Sequence, residues 1–162
     1  MQYDQVLVQN IVKQLKAGII RFGKLTVDCA TPREAVLKAL DPRRVGPHQE
    51  FGGRGAIWRR YQFESEILWF PPQRLFVAFE GDRLGMVMFA DAEWRAPTGD
   101  YRLELQNYSL TRIQLLPIFG DPREKSEQNP KAMSVTWPLG RLSLTLACEE
   151  SRGGASLTLK TR

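Results

Sequence analysis

The chain has 162 residues, 43% of them hydrophobic and 25% charged, with 23 Lys and Arg against 18 Asp and Glu. That length suits one domain, or two small units sharing a core, and the balance excludes a disordered chain. No run approaches the roughly 18 uninterrupted apolar residues that a membrane helix needs.

The opening MQYDQVLVQN has no basic region, adequate apolar run or small-residue cleavage site, so no signal peptide and a cytoplasmic location are expected. Helical periodicity follows. Val8, Ile11, Val12, Leu15 and Ile19 fall on one face, Lys13 and Lys16 lie off it, and Gly18 or Gly23 offers a stop. TPREAVLKAL then predicts a second helix. Thr31 would be its N-cap, Pro32 its first residue, and Glu34 the returning partner of a capping box. Ala35, Val36 and Leu40 supply its apolar face, and Asp41-Pro42 ends it.

From Trp58 onward the period changes to two. RLFVAF alternates Leu75, Val77 and Phe79 with Phe76 and Ala78, EGD supplies turn chemistry, and Leu84, Met86 and Met88 follow in alternation. Residues 75–89 therefore predict a β-hairpin. YRLELQNY alternates Tyr101, Leu103 and Leu105 with polar residues and reads as a half-buried strand. FGDPREKSEQNPK reads as a loop, and RLSLTLAC and ASLTLK as a strand pair joined across EESRGG. Helices first, then strands linked by turns, predict an α+β fold. Two N-terminal helices precede a mainly antiparallel sheet in a single compact domain, 1–162.

The order also admits two related halves, 25–100 and 101–162, sharing a core. TPREAVLKALDP (31–42) and TRIQLLPIFGDP (111–122) share their length and both ends, although Pro117 would shorten the second helix or replace it by a turn. WFPPQRLFVAF and WPLGRLSLTL each set a Trp and Pro before an Arg-Leu step that opens an alternating run. Trp69 and Trp137 are expected to pack at equivalent points.

No catalytic motif is present. Cys29 and Cys148 have no C-x-x-C spacing and His48 is the single His, so neither metal nor cofactor is expected. A Cys–His dyad has no third group to orient it. FGGRGA (51–56) lacks the phosphate-loop pattern. The net charge of +5 is spread along the chain, with one concentration at Arg43, Arg44, Arg54, Arg59 and Arg60.

IWRRYQF is the richest stretch. Alternation puts Trp58, Arg60 and Gln62 on one face and Arg59, Tyr61 and Phe63 on the other. Trp and Arg are over-represented at protein-binding hot spots, and aromatics beside cations also suit nucleic acid. Trp94 and Arg95, beside a Pro-Thr-Gly-Asp turn, are the second candidate pair.

A capped helix, TPREAVLKALDP, leading into an antiparallel meander resembles bacterial modules of the BamE/SmpA and β-lactamase-inhibitor-protein type. The resemblance covers residues 25–90 and 111–160. It implies a non-catalytic role in binding another protein, as an inhibitor or assembly factor, and small α+β immunity proteins without catalytic motifs add the immunity role by analogy. The chain departs from those families in having no secretion signal and no disulfide pattern. The expected function is thus a non-enzymatic protein-binding module acting through a sheet face and loops carrying Trp58, Arg59, Arg60, Trp94 and Arg95. The alternative is a nucleic-acid-binding accessory protein using the basic-aromatic stretch 43–60.

Overall fold

A computed structural model describes residues 4–22, 25–43, 49–50, 57–67, 70–91, 100–152 and 154–162, with backbone alone at 43–75 and at 90, 91, 152 and 154. The first helix, α1 (Gln5–Lys16), starts where the Asp4 carboxylate accepts the amides of Val6 at 2.9 Å and Leu7 at 3.3 Å. It buries Ile11 and Leu15, and it ends on Lys13 and Lys16, which complement the negative end of its dipole. Gly18, at φ 85°, turns the chain into a hairpin of β1 (Ile19–Phe22) and β2 (Leu25–Asp28). Ile20, Phe22 and Val27 anchor this hairpin in the core.

The second helix, α2 (Arg33–Leu40), begins one residue later than the sequence implies and runs into a 3-10 turn at Asp41–Arg43. Its N-cap is Pro32, without a side-chain cap bond, so the expected capping box does not form. A tertiary bond takes over instead. The Arg33 amide donates to the Asp82 carbonyl at 2.8 Å and one Arg33 guanidinium nitrogen to the Gly81 carbonyl at 3.3 Å. The β-turn at 81–82 thus caps the helix, a device that no local pattern reveals.

Eight strands form one sheet: β3 (Gln49–Glu50), β4 (Ile57–Ile67), β5 (Phe70–Glu80), β6 (Arg83–Asp91), β7 (Glu124–Ser126), β8 (Ala132–Leu139), β9 (Leu142–Glu149) and β10 (Gly154–Thr161). The spatial order is β3-β4-β5-β6-β10-β9-β8-β7, with every pairing antiparallel. Each side is a short outer strand followed by a three-stranded meander, and the two sides meet where β6 pairs with β10. The fold is therefore α+β with antiparallel sheets, but helices and strands are interleaved. The β1–β2 hairpin separates α1 from α2, and a third helix, α3 (Tyr101–Phe119), lies between β6 and β7.

That third helix replaces the strand expected over YRLELQNY and absorbs the first part of TRIQLLPIFGDP. Tyr101, Leu105, Tyr108 and Leu115 pack inward while Leu103 and Leu110 face out, so apolar residues on opposite faces imitate period two. Asp100 caps it by accepting the Arg102 amide at 3.0 Å. Pro117 falls in the final turn, two residues before Phe119, and the helix continues through it to the Gly120 cap. Inside the expected 119–131 loop, β7 pairs with β8 over three residues.

Two further expectations change. Arg74-Leu75 lies inside β5, which starts at Phe70, whereas Arg141 lies in the turn with Gly140 and Leu142 begins β9. Pro71 and Pro72 are tolerated because they sit at a register irregularity with β4, beyond the start of the β6 pairing at Gln73. Trp137 lies in β8, 1% exposed. Trp69 lies outside the described residues.

The helices and the β1–β2 hairpin all contribute to a single buried cluster on one side of the sheet. Val77, Val87, Leu159, Leu144 and Trp137 occupy consecutive register positions across five strands, and Phe89, Leu157, Leu146 and Val135 form the next row. Cys148 extends the β9 face, and Tyr101 holds α3 to the sheet, its hydroxyl donating to the Pro130 carbonyl at 2.7 Å and to the Cys148 carbonyl at 3.3 Å.

Candidate functional site: the open face of the sheet

With the helices gathered on one side, the opposite side of the sheet carries the alternate residues. One row runs Phe76, Met88, Thr158, Thr145, Thr136, and its neighbour Ala78, Met86, Lys160, Ser143, Pro138. A third adds Ser156, Ala147 and Ser134. Except for buried Ala78 and exposed Lys160, these side chains are half-buried, shielded by their neighbours in the sheet.

A β-bulge decides which residues appear there. Ala78 pairs with Met86 but Phe79 pairs with Leu84, leaving Gly85 as the extra residue. Leu84 consequently joins the core at 1% exposure, while Met86 and Met88 take the opposite face. Continuous alternation would have kept all three together, as the sequence suggests. Beyond the bulge, Thr161 donates its hydroxyl to the Gly85 carbonyl at 3.1 Å.

The two ends of this face differ chemically. On β5 and β6 it is aromatic and thioether, from Phe76, Met86 and Met88. On β8, β9 and β10 it is mostly hydroxylic and short, apart from Pro138 and Lys160, and the hydroxyls of Thr136 and Thr145 bond to each other at 2.9 Å. Short side chains there let an incoming group approach the backbone closely. The flexible thioethers adapt to an irregular apolar surface. At described side chains the charges of these rows are Lys160 and, where the first row continues from Thr136 onto β7, Glu124; on β9, Glu149 lies two residues beyond Ala147.

Trp58 and Arg60 stand in register with Ala78 and Phe76 of this face, whereas Arg59 stands opposite Val77, a core position. The expected alternation of the IWRRYQF stretch therefore matches the β5 register. Trp94, Arg95 and His48 lie outside the described residues, as do 44–48 and 51–56 of the basic stretch. The hydroxyl rows of β8–β10 were missed as candidates. Their signal is present in RLSLTLAC and ASLTLK, where Ser and Thr alternate with Leu.

The thiols show no sign of activation. Cys29 is half-buried and Cys148 buried, and both are free. Burial first, and then the adjacent Asp28 carboxylate, push the Cys29 thiol up to about 11, with Arg141 acting weakly in the opposite sense. Burial also raises Cys148. At pH 8 the native protein is expected to react slowly with a disulfide reagent, and both thiols to react at once in denaturant. Because the unfolded Cys29 ionises nearer 9, stability should fall as pH rises from 9 towards 11. Cys29→Ser should flatten that part of a urea-midpoint profile. Among the described residues, no three His, Cys, Asp or Glu side chains are placed to hold a metal ion.

No protein-family model matches the chain, and no curated protein does. A solved structure, a DUF4309 family protein (YjgB) from Bacillus subtilis, is similar over 97% of each chain at 13% identity, with a TM-score of 0.47. A likeness of that degree bears on neither family nor function.

Proposed function

We propose that this chain is a non-enzymatic, cytoplasmic protein-binding module of the inhibitor, immunity or assembly kind. It engages another protein through the open sheet face, together with the loops that carry Trp94 and Arg95 and the strand that carries Trp58, Arg59 and Arg60. One observation carries this reading: all described helices pack on one side, and the other presents three rows of mostly uncharged, half-buried side chains, with Lys160 within them and Glu124 at the β7 end. Such a surface suits a protein partner, because its desolvation costs little and Phe and Met supply apolar contact.

A nucleic-acid role for 43–60 is the weaker reading. Phosphate backbones need several cations along their track, and binding must then weaken steeply with salt. Lys160 is the lone cation at a described side chain of the three rows, with Arg60 of β4 in register with Phe76 of the first.

The test combines affinity capture with substitutions in the middle of the face. Wild-type protein should recover a stoichiometric partner from source lysate. Thr145→Arg and Thr158→Arg should each weaken capture at least tenfold while leaving the circular dichroism spectrum unchanged, and Lys38→Glu on α2 should have no effect. Full capture by both folded face variants would refute the site. Oligonucleotide binding that falls steeply with salt would transfer the assignment to the alternative.

A further inference from the structure

The net charge is spread along the sequence, but the fold gathers it. Where β8 turns into β9, Gly140 sits against the end of α1, and a Cβ on it would stand 3.3 Å from the Lys16 carbonyl carbon. Arg141 follows with its aliphatic stem beside Gly18, whose added Cβ would lie 3.3 Å from the Arg141 Cδ. The Arg141 carbonyl accepts the Arg162 amide at 3.0 Å, and Lys160 stands two residues back along β10, in register with Ser143. Lys13 lies about one turn before Lys16 on α1. These five exposed cations form a band that crosses the rim of the sheet. It runs from Lys13 and Lys16 in the helix layer, through Arg141 and Arg162, to Lys160 on the open face.

One acidic side chain, Asp28, lies among them, in register with Ile19 and next to Cys29. Beyond the effect of burial, Asp28 pushes the Cys29 thiol up and Arg141 pulls it down, so both charges act at that turn. None of the five cations forms an ion pair with a described carboxylate. On the flanks the signs mix: Arg33 and Arg83 stand with Asp82 and Glu80, and Arg123 with Asp121 and Glu124. At the opposite end of the strands the acids lead, with Asp100, Glu104, Glu149 and Glu150 against Arg102 and Lys131. The dipole of α1 accounts for Lys13 and Lys16. It does not account for Arg141, Lys160 and Arg162, whose mutual repulsion an anionic partner would relieve.

We propose that this cationic rim receives an acidic segment of the protein that docks on the open face, a run of Asp and Glu laid across the edge from Lys160 to Lys16. The proposal rests on the protein-binding reading, and Lys160 joins the two surfaces, being a member of the face rows that stands at the rim. Complementary charge of this kind sets orientation and association rate more than affinity. No described aromatic is exposed beside the cations for a base to stack on, so carboxylates suit the band better than a nucleic-acid strand.

Fluorescence anisotropy with a labelled deca-glutamate peptide reads the rim without the partner. Binding is expected at about 20 mM salt and should fall steeply towards about 200 mM. Lys16→Gln combined with Arg141→Gln should weaken it about fivefold or more. Lys38→Gln combined with Lys131→Gln removes as much charge elsewhere and should leave it nearly unchanged. Unchanged circular dichroism spectra check both folds. No binding, or equal losses in the two double variants, would overturn the rim as a site. A duplex oligonucleotide or phosphatidylserine vesicles bound more tightly than the peptide, with the same dependence on Lys16 and Arg141, would overturn the acidic-protein assignment. In lysate capture the Lys16→Gln, Arg141→Gln variant should take up the partner more slowly. Capture at an unchanged rate would refute the rim and leave the open-face reading standing, whereas that reading fails on Thr145→Arg and Thr158→Arg.

Discussion

Trp137→Ala is expected to remove about 3–5 kcal/mol of stability, enough to exhaust much of the margin of a domain stable by roughly 5–15 kcal/mol. The side chain is 1% exposed and lies in a row of core residues running from β5 to β8. Its indole N–H donates to the Gly120 carbonyl at 2.8 Å, and its ring is 6.2 Å from that of Phe119. It therefore fastens the C-terminus of α3 to the outer part of the sheet. Alanine would leave a cavity at that junction and strand the Gly120 carbonyl. Trp137→Phe keeps most of the ring volume and loses the hydrogen bond, so a cost nearer 1–2 kcal/mol is expected. Urea unfolding followed by circular dichroism separates the two. Equal losses would mean that the hydrogen bond, and not the packing, dominates.

Gly140→Ala should be the other severe change, at about 2–4 kcal/mol. Gly140 has φ 64° in the β8–β9 turn, and a Cβ there would collide with the Lys16 carbonyl oxygen at the end of α1. The Lys16 carbonyl carbon would also be 3.3 Å away, so backbone would have to move. Gly81 is the internal control. It has φ 61° in the β5–β6 turn, but nothing lies within 4 Å of its added Cβ. Gly81→Ala should cost only the left-handed conformation, about 1 kcal/mol. The difference between the two midpoints measures how closely the helix layer sits on the sheet. Equal midpoints would show that α1 does not need this approach.

The legible parts of the fold were those whose signal is local. The Val8-to-Leu15 face of α1, the 75–89 hairpin and the β9–β10 pair follow from periodicity and turn residues, although Ile19, expected on the same helix face, lies in β1 and the bulge at Gly85 shifts Leu84 to the core. What was misread depends on partners far along the chain. The α2 cap comes from Asp82, forty-nine positions beyond Arg33. In α3 the local pattern itself misleads, because Leu103 and Leu110 face out opposite Leu105 and Tyr108. The same difficulty applies to the site. Trp58 and Arg60 could be assigned to one face by alternation, yet Thr136, Thr145 and Thr158 become one row only when three strands align. Single-strand alternation shows that a residue faces outward. It does not show that no helix covers it.

The central claim is that the open sheet face receives a protein. The most direct measurement places a photoreactive phenylalanine at Thr145, at the middle of the hydroxyl rows, and another at Lys38 on the helix side. Irradiation with source lysate should yield one discrete cross-linked protein from position 145 and none from position 38. Cross-linking confined to position 38, or to neither, would contradict the account.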